Sequence, residues 1–279
     1  MNGLASRNLQ LPSWIDNLIF NQLGAKYCKI CRDMTVIDWN RRDILNYLGT
    51  YFPRSYTESY AITSDFLSRY AEKYAQKKSL SILDFGCGTG GEIVGMLQAI
   101  REMLPNVRHV FVRGIDGNQN ALRLLEEILG IFPPCGFEIS FTPSPVVIDD
   151  FYDLKILNQV IQEKFDFFIT FKAICEFVTK QQFEVSNPYE HIIRVFKDKV
   201  KADGVKADGV MCISDVSTFN QVSNEWLPRM LDMGIASAGG KVLLKNEGWN
   251  EIFHTSHSRH AHDKSKLTWR FITFEGGII

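Results

Sequence analysis

Residues 80–91 read LSILDFGCGTGG. An apolar run ends in Asp84, and four glycines, Gly86, Gly88, Gly90 and Gly91, follow within six positions. The run has the texture of a strand. The next segment, GEIVGMLQAIREML, places apolar residues at 93, 96, 97, 100, 103 and 104, the spacing of one helix face. Glycine reaches backbone angles closed to other residues and lacks the Cβ that blocks close approach. A helix N-terminus adds unpaired N–H groups and a partial positive charge. A glycine turn between strand and helix therefore suits a polar ligand group held over the carboxyl ends of a parallel sheet.

The surrounding pattern agrees with such a sheet. Strands are expected at Leu80–Phe85, His109–Ile115, Phe137–Phe141, Phe165–Phe171, Val210–Asp215, Asn250–Thr255 and Leu267–Phe274. Amphipathic segments such as NQNALRLLEEIL and DLKILNQVIQEKF lie between them. In NPYEHIIRVFKDKV, Asn187 suits an N-cap, Pro188 the first helical position and Glu190 the third. Strand–helix alternation implies an α/β fold, a mostly parallel sheet with helices on both faces. The last two strands read as an antiparallel pair joined by a polar loop. The pentapeptide KADGV occurs twice in succession, at 201–205 and 206–210, and lengthens a surface loop.

Before residue 79 the texture is helical. Tyr60, Thr63, Leu67, Tyr70 and Tyr74 form one stripe, suited to packing on the main domain or to a lid. Pro53 is expected to end one helix before the next begins. We divide the chain into a helical extension or lid, 1–78, and an α/β domain, 79–279.

Gly86, Gly88 and Gly91 satisfy G-x-G-x-x-G, a dinucleotide-binding pattern. Asp84 argues for a different ligand, because a carboxylate there suits a cationic group better than a pyrophosphate. ILDFGCGTGG closely resembles motif I of the class I S-adenosylmethionine-dependent methyltransferases, D-x-G-x-G-x-G. VFVRGIDGNQNAL resembles that family's second strand, DFFITFKAICEF its fourth, GVMCISDVS its fifth, and WNEIFHTS with LTWRFITFE its paired last strands. The resemblance covers roughly residues 79–279. It implies a Rossmann-like, seven-stranded, mostly parallel sheet with an antiparallel last strand, and S-adenosyl-L-methionine as cofactor. It places the methyl donor on Asp84, Gly86, Cys87, Gly88 and Gly90, its ribose on Asp116, and its adenine beside Gly117 and Asn118. Thr170 and Phe171 stand at the tip of the fourth strand, beside the donor. The acid that meets the adenine amine is Asp149 or Asp150.

Outside these motifs, Arg54, Tyr56 and Tyr60 are placed to fold over the cofactor end, with Arg54 able to pair with the donor's carboxylate or with an acidic acceptor. Candidate bases are Glu176, beyond the fourth strand, Asp215, at the end of the fifth, and His257. His257 belongs to a loop with His254, His260 and His262 whose spacing fits no standard metal site. Cys28 and Cys31 form a C-x-x-C without the second pair that a zinc site needs. No metal is expected, and the six cysteines read as reduced thiols, mostly buried.

The net charge of −1 excludes a global basic field for nucleic acid. No run approaches the roughly 20 apolar residues of a membrane helix, and the start lacks the pattern of a secretory signal. A cytoplasmic methyltransferase is expected, with a small-molecule acceptor favoured. RNA or protein acceptors, and a donor-binding assembly partner without catalysis, are the alternatives. A nicotinamide-dependent oxidoreductase is the fourth class. Oligomeric state and acceptor atom are not legible.

Overall fold

Strand and helix alternate through most of the chain, and the strands collect in a single main sheet. The structure is a computed structural model and describes residues 6–28, 39–133, 136–177, 186–203, 206–207, 209–220 and 225–274. The elements begin with β1 (Ser6–Gln10), α1 (Ser13–Asn17) and α2 (Arg41–Tyr74). They continue with β2 (Ser79–Phe85), α3 (Gly91–Met103), β3 (His109–Asp116), α4 (Gln119–Ile131) and β4 (Glu138–Pro145). Then come α5 (Lys155–Val160), β5 (Phe167–Phe171), α6 (Ile174–Phe177), α7 (Pro188–Phe196) and β6 (Val210–Val216). The last are α8 (Leu227–Ser237), β7 (Gly240–Lys245), β8 (Glu251–His257) and β9 (His260–Phe274).

The strands of this sheet lie in the order β1-β8-β9-β6-β5-β2-β3-β4, with β7 also paired to β9, nine strands in the main sheet among the described residues. The run from β6 to β4 is parallel, and β9 is antiparallel to β6, β7 and β8. From β2 the chain builds outward to β3 and β4, then returns to the other side for β5 and β6. That reversal opens a crevice at the carboxyl ends of β2 and β5. The central strands alternate between two apolar layers. Leu80, Ile82, Phe167 and Ile169 face α2, α3 and α4, while Leu83, Phe85 and Phe168 face α5, α7 and α8. Burial on both faces explains why these strands read as continuous apolar runs.

Four expectations need correction. First, Pro53 does not end a helix: α2 runs unbroken for 34 residues, about 51 Å at 1.5 Å per residue. A mid-helix proline costs about 3 kcal/mol and leaves the carbonyl four residues back, at Gly49, without its helix bond. The helix persists because both sides of Pro53 are buried against α3. A Cβ at Gly91 would lie 2.6 Å from the Phe52 carbonyl oxygen, and one at Gly95 2.2 Å from that of Tyr56. The backbones of α2 and α3 thus meet through glycines four residues apart, and the Ser59 hydroxyl donates to the Glu92 carbonyl at 2.7 Å. Second, the polar segment between the last two strands is not a loop. His257 pairs with His260, so only Ser258 and Arg259 make the turn. Polar residues cover one face of this hairpin and hide its alternation. Third, the sheet exceeds seven strands: β1 runs parallel to β8, and β7 fills the edge of β9 beyond β8. Fourth, the two KADGV copies pair with each other, Ala202 opposite Ala207 and Asp203 opposite Lys206.

No helix among the described residues is long and apolar enough to cross a membrane. The α2–α3 contact generates a stability prediction. Gly95→Val should destabilise the fold by about 1–3 kcal/mol or more through overpacking, read as a lower urea midpoint. An unchanged midpoint would mean that the two helices do not touch at this position.

Candidate functional site

The turn after β2 holds three left-handed glycines, Gly86 (φ 76°), Gly88 (φ 48°) and Gly90 (φ 75°). Its conformation is fixed from the neighbouring strand. The Gly86 and Cys87 N–H groups donate to the Ile115 carbonyl at 2.9 and 3.1 Å. Asp116 accepts from the Gly88 N–H with one carboxylate oxygen and from the Asn118 N–H with the other, both at 2.8 Å. Burial pushes the Asp116 carboxyl upward against the pull of those two donors.

The glycines serve different neighbours. A Cβ at Gly90 would strike Leu125 of α4 at 2.2 Å, and Gly91 admits α2. Gly88 is covered instead by a side chain: a Cβ there would lie 3.1 Å from Tyr47 Oη. The exclusion of side chains from this turn is therefore only partly a ligand's doing.

A cavity of about 430 Å³ opens beside Gly86, within the range of small-molecule sites. One wall is α2, which presents Tyr47, Tyr51, Arg54 and Ser55. Opposite stand Phe171, Lys172, Ala173 and Glu176 from the end of β5 and the start of α6. Val216, Ser217 and Thr218 after β6, and Lys264–Leu267 of β9, complete it.

Carboxyl groups crowd the floor. Glu92, on the first turn of α3, is pushed up to about 8, chiefly by burial. Asp84 is fully buried, and no N–H or hydroxyl donates to its oxygens; its carboxyl pairs with that of Glu92. Its carboxyl is held well above the usual range, by burial first and then by the charges of Glu92 and Asp116. Glu176 shifts upward through lost hydration and then the charge of Asp215, though solvent still reaches it at the cavity mouth. Cations answer from the walls. Lys172 Nζ lies 2.6 Å from buried Glu58 Oε2, and the Ser265 hydroxyl donates to the other oxygen. Arg54 lies 3.3 Å from Asp263 and stacks over the Tyr51 ring at 4.8 Å. Lys172 is in the left-handed region (φ 57°), costly for a residue with a side chain and typical of ligand sites.

Of the residues singled out from sequence, the structure brings Arg54, Gly86, Phe171 and Glu176 to the cavity. Asp84, Gly88, Gly90, Asp116, Gly117 and Asn118 are gathered in and around the turn. Cys87 is buried, its Sγ packed under the turn against Gly114. Asn118 caps α4 and donates to the Trp39 carbonyl. Thr170 is buried on β5 with its hydroxyl unpaired. Asp149 and Asp150 are exposed away from the cavity, and Asp150 caps the Tyr152 N–H. Two residues take places unlike those expected. Tyr56 is buried between the Phe52 and Tyr60 rings, beside the C-terminal half of α3, because the cavity face of α2 is 47, 51, 54, 55 and 58. His257 lies outside the cavity, stacked on Phe20 at 5.0 Å and held near 4 by burial. Asp215 accepts from Tyr189 Oη and the Cys175 N–H as a buried tie. Cys31 lies outside the described residues, and no cluster that could hold a metal ion occurs among those described.

Sequence reasoning missed Tyr47, Tyr51, Glu58, Glu92 and Lys172. A signal existed for the first three, since 47, 51, 54 and 58 recur at helical spacing with polar or aromatic residues.

No family model and no curated protein sequence matches the chain. Solved structures are similar to it. Magnesium protoporphyrin IX methyltransferase from Synechocystis PCC 6803, with bound SAM, is 12% identical, covers 88% of this chain and 99% of its own, and gives a TM-score of 0.48. Precorrin-6y C5,15-methyltransferase from Geobacter metallireducens GS-15 is 13% identical over 78% of this chain and 88% of its own, TM-score 0.43. Ribosomal protein L11 methylase from Lactobacillus delbrueckii subsp. bulgaricus is 12% identical over 78% of each chain, TM-score 0.43. The parallel order β4-β3-β2-β5-β6, with its reversal at β2, makes the fold itself Rossmann-like.

The Glu92 environment sets a pH dependence. Its folded value, about 8, exceeds the ordinary 4.5. The folded state thus holds a proton that the unfolded state loses, so this contribution to stability is full below 4.5 and falls as pH rises towards 8. Glu92→Gln should remove that fall and gain on the wild type between pH 5 and 8 in urea denaturation. Parallel profiles would contradict the assignment.

Proposed function

We propose that the protein is an S-adenosylmethionine-dependent methyltransferase acting on a small molecule. The observation that carries this reading is the buried Asp84–Glu92 carboxyl pair behind a glycine turn, in which no N–H or hydroxyl donates to Asp84. Two buried carboxyls paired with each other disfavour a pyrophosphate and favour a cationic ligand. S-adenosylmethionine carries an ammonium and a sulfonium, so the residues present fit it.

Asp84 and Glu92 would hold the donor's ammonium, Arg54 its carboxylate, and Asp116 its ribose hydroxyls. Bound there, the donor supplies an activated methyl group on sulfur. The chain's task is then alignment, and orientation alone lowers a barrier by about 7–11 kcal/mol. Phe171 and Lys172 position the acceptor against the donor, and the rigid Lys172–Glu58–Ser265 link fixes that edge of the cavity. Glu176, at the mouth, is the base for an acceptor that must lose a proton. The positive charge of a donor bound beside it favours its ionised form. The absence of a global basic field favours a small acceptor over RNA.

Asp116→Ala should weaken binding of S-adenosylmethionine by about 1.5–3 kcal/mol through lost charge-assisted hydrogen bonds, measured by calorimetry. An effect within error would remove Asp116 from the site. Incubation with methyl-labelled donor and fractionated extract should place label in the small-molecule pool. Label confined to RNA or protein would overturn the acceptor class, and no transfer despite donor binding would leave a donor-binding assembly partner.

A further inference from the structure

The cavity reaches Gly86 but stops short of Gly88, Asp116 and Asn118. The side chain at the boundary is Tyr47. Its Oη lies 3.1 Å, its Cε1 3.3 Å and its Cζ 3.5 Å from where a Gly88 Cβ would stand. One added carbon would already be crowded there, so no further molecular layer fits between ring and turn. The ring is braced, stacked on Tyr51 at 4.9 Å and edge-on to Trp39 at 6.3 Å. The Trp39 carbonyl is in turn held by the Asn118 and Asn120 side-chain amides at 3.0 and 3.2 Å. Bidentate Arg41–Glu127 bonds, both 2.9 Å, tie the first turn of α2 to α4. The start of α2 is thus clamped over the ribose and adenine side of the turn, while the amino-acid side stays open.

We propose that Tyr47 is a gate on the donor site: its ring closes the Gly88 half in the free protein and must swing away for S-adenosylmethionine to enter. This rests on the donor reading above. The cavity that Tyr47 already lines is the space into which the ring would swing, while the backbone of α2 stays anchored by Gly91 and Gly95. The gate reduces apparent affinity by the fraction of protein that is open. An open population of 0.1–10% corresponds to about a 10- to 1,000-fold reduction.

The test is stopped-flow and calorimetric binding of S-adenosylmethionine to the wild type, Tyr47→Ala, Tyr47→Leu and Tyr47→Phe, each checked for folding by circular dichroism. Alanine and leucine should raise the association rate about tenfold or more and tighten binding. Leucine keeps an apolar surface against Tyr51 if alanine unfolds the site. Phenylalanine should stay close to wild type, since the ring fills the space. Binding by the alanine or leucine variant where the wild type shows none also supports the gate. Equal or slower association in both variants overturns the gate and leaves the donor reading standing. No binding by any of the four folded proteins overturns the donor reading and the gate with it.

Discussion

The site depends on one carboxylate. Asp116 ends β3 and spends one oxygen on the Gly88 N–H and the other on the Asn118 N–H. Those two bonds hold the turn after β2 and the start of α4 in fixed relation across the crevice. The bonds of Gly86 and Cys87 to the Ile115 carbonyl finish the clamp. Three left-handed glycines are tolerable here because the backbone they bend is held from the adjacent strand rather than by its own side chains.

Helix α2 converts that turn into a cavity. It meets α3 at backbone contact through Gly91 and Gly95, so it cannot shift without opening the core. One face packs Phe52, Tyr56 and Tyr60 against α3, and the other presents Tyr47, Tyr51, Arg54 and Glu58 to the crevice. The proline in its middle is tolerated because that packing spans it. Ion pairs from this face reach β9 and the end of β5, so the cavity is bounded by elements far apart in sequence.

Much of this was legible in the chain. The order of apolar runs and amphipathic helices predicted the parallel sheet, and the antiparallel last strand followed from the missing helix before it. The glycine turn, Asp84 and Asp116 stood in one readable motif. Other features were hidden for physical reasons. Strand β1 is short and half-exposed, with no apolar run to mark it. The hairpin around His257 is polar on one face, so its alternation looked like a loop. Pro53 obeyed its local preference only until tertiary burial outweighed it. Tyr56 was assigned to the cofactor by proximity in sequence, whereas helical phase sends it to α3 and brings Tyr47 instead. Glu92 resembled an ordinary first-turn acid, and its burial beside Asp84 depends on α2 lying over it.

The central claim is electrostatic: buried, paired carboxyls whose charged forms are disfavoured await a positive ligand. A cation that ionises Asp84 and Glu92 must displace protons into the buffer. The most direct measurement is calorimetric titration of S-adenosylmethionine at pH 7 in buffers of different ionisation enthalpy. The account predicts binding with net proton release that is lost when Asp84 and Glu92 are both replaced by their amides. Binding without proton release, or unchanged release in the double variant, would contradict it.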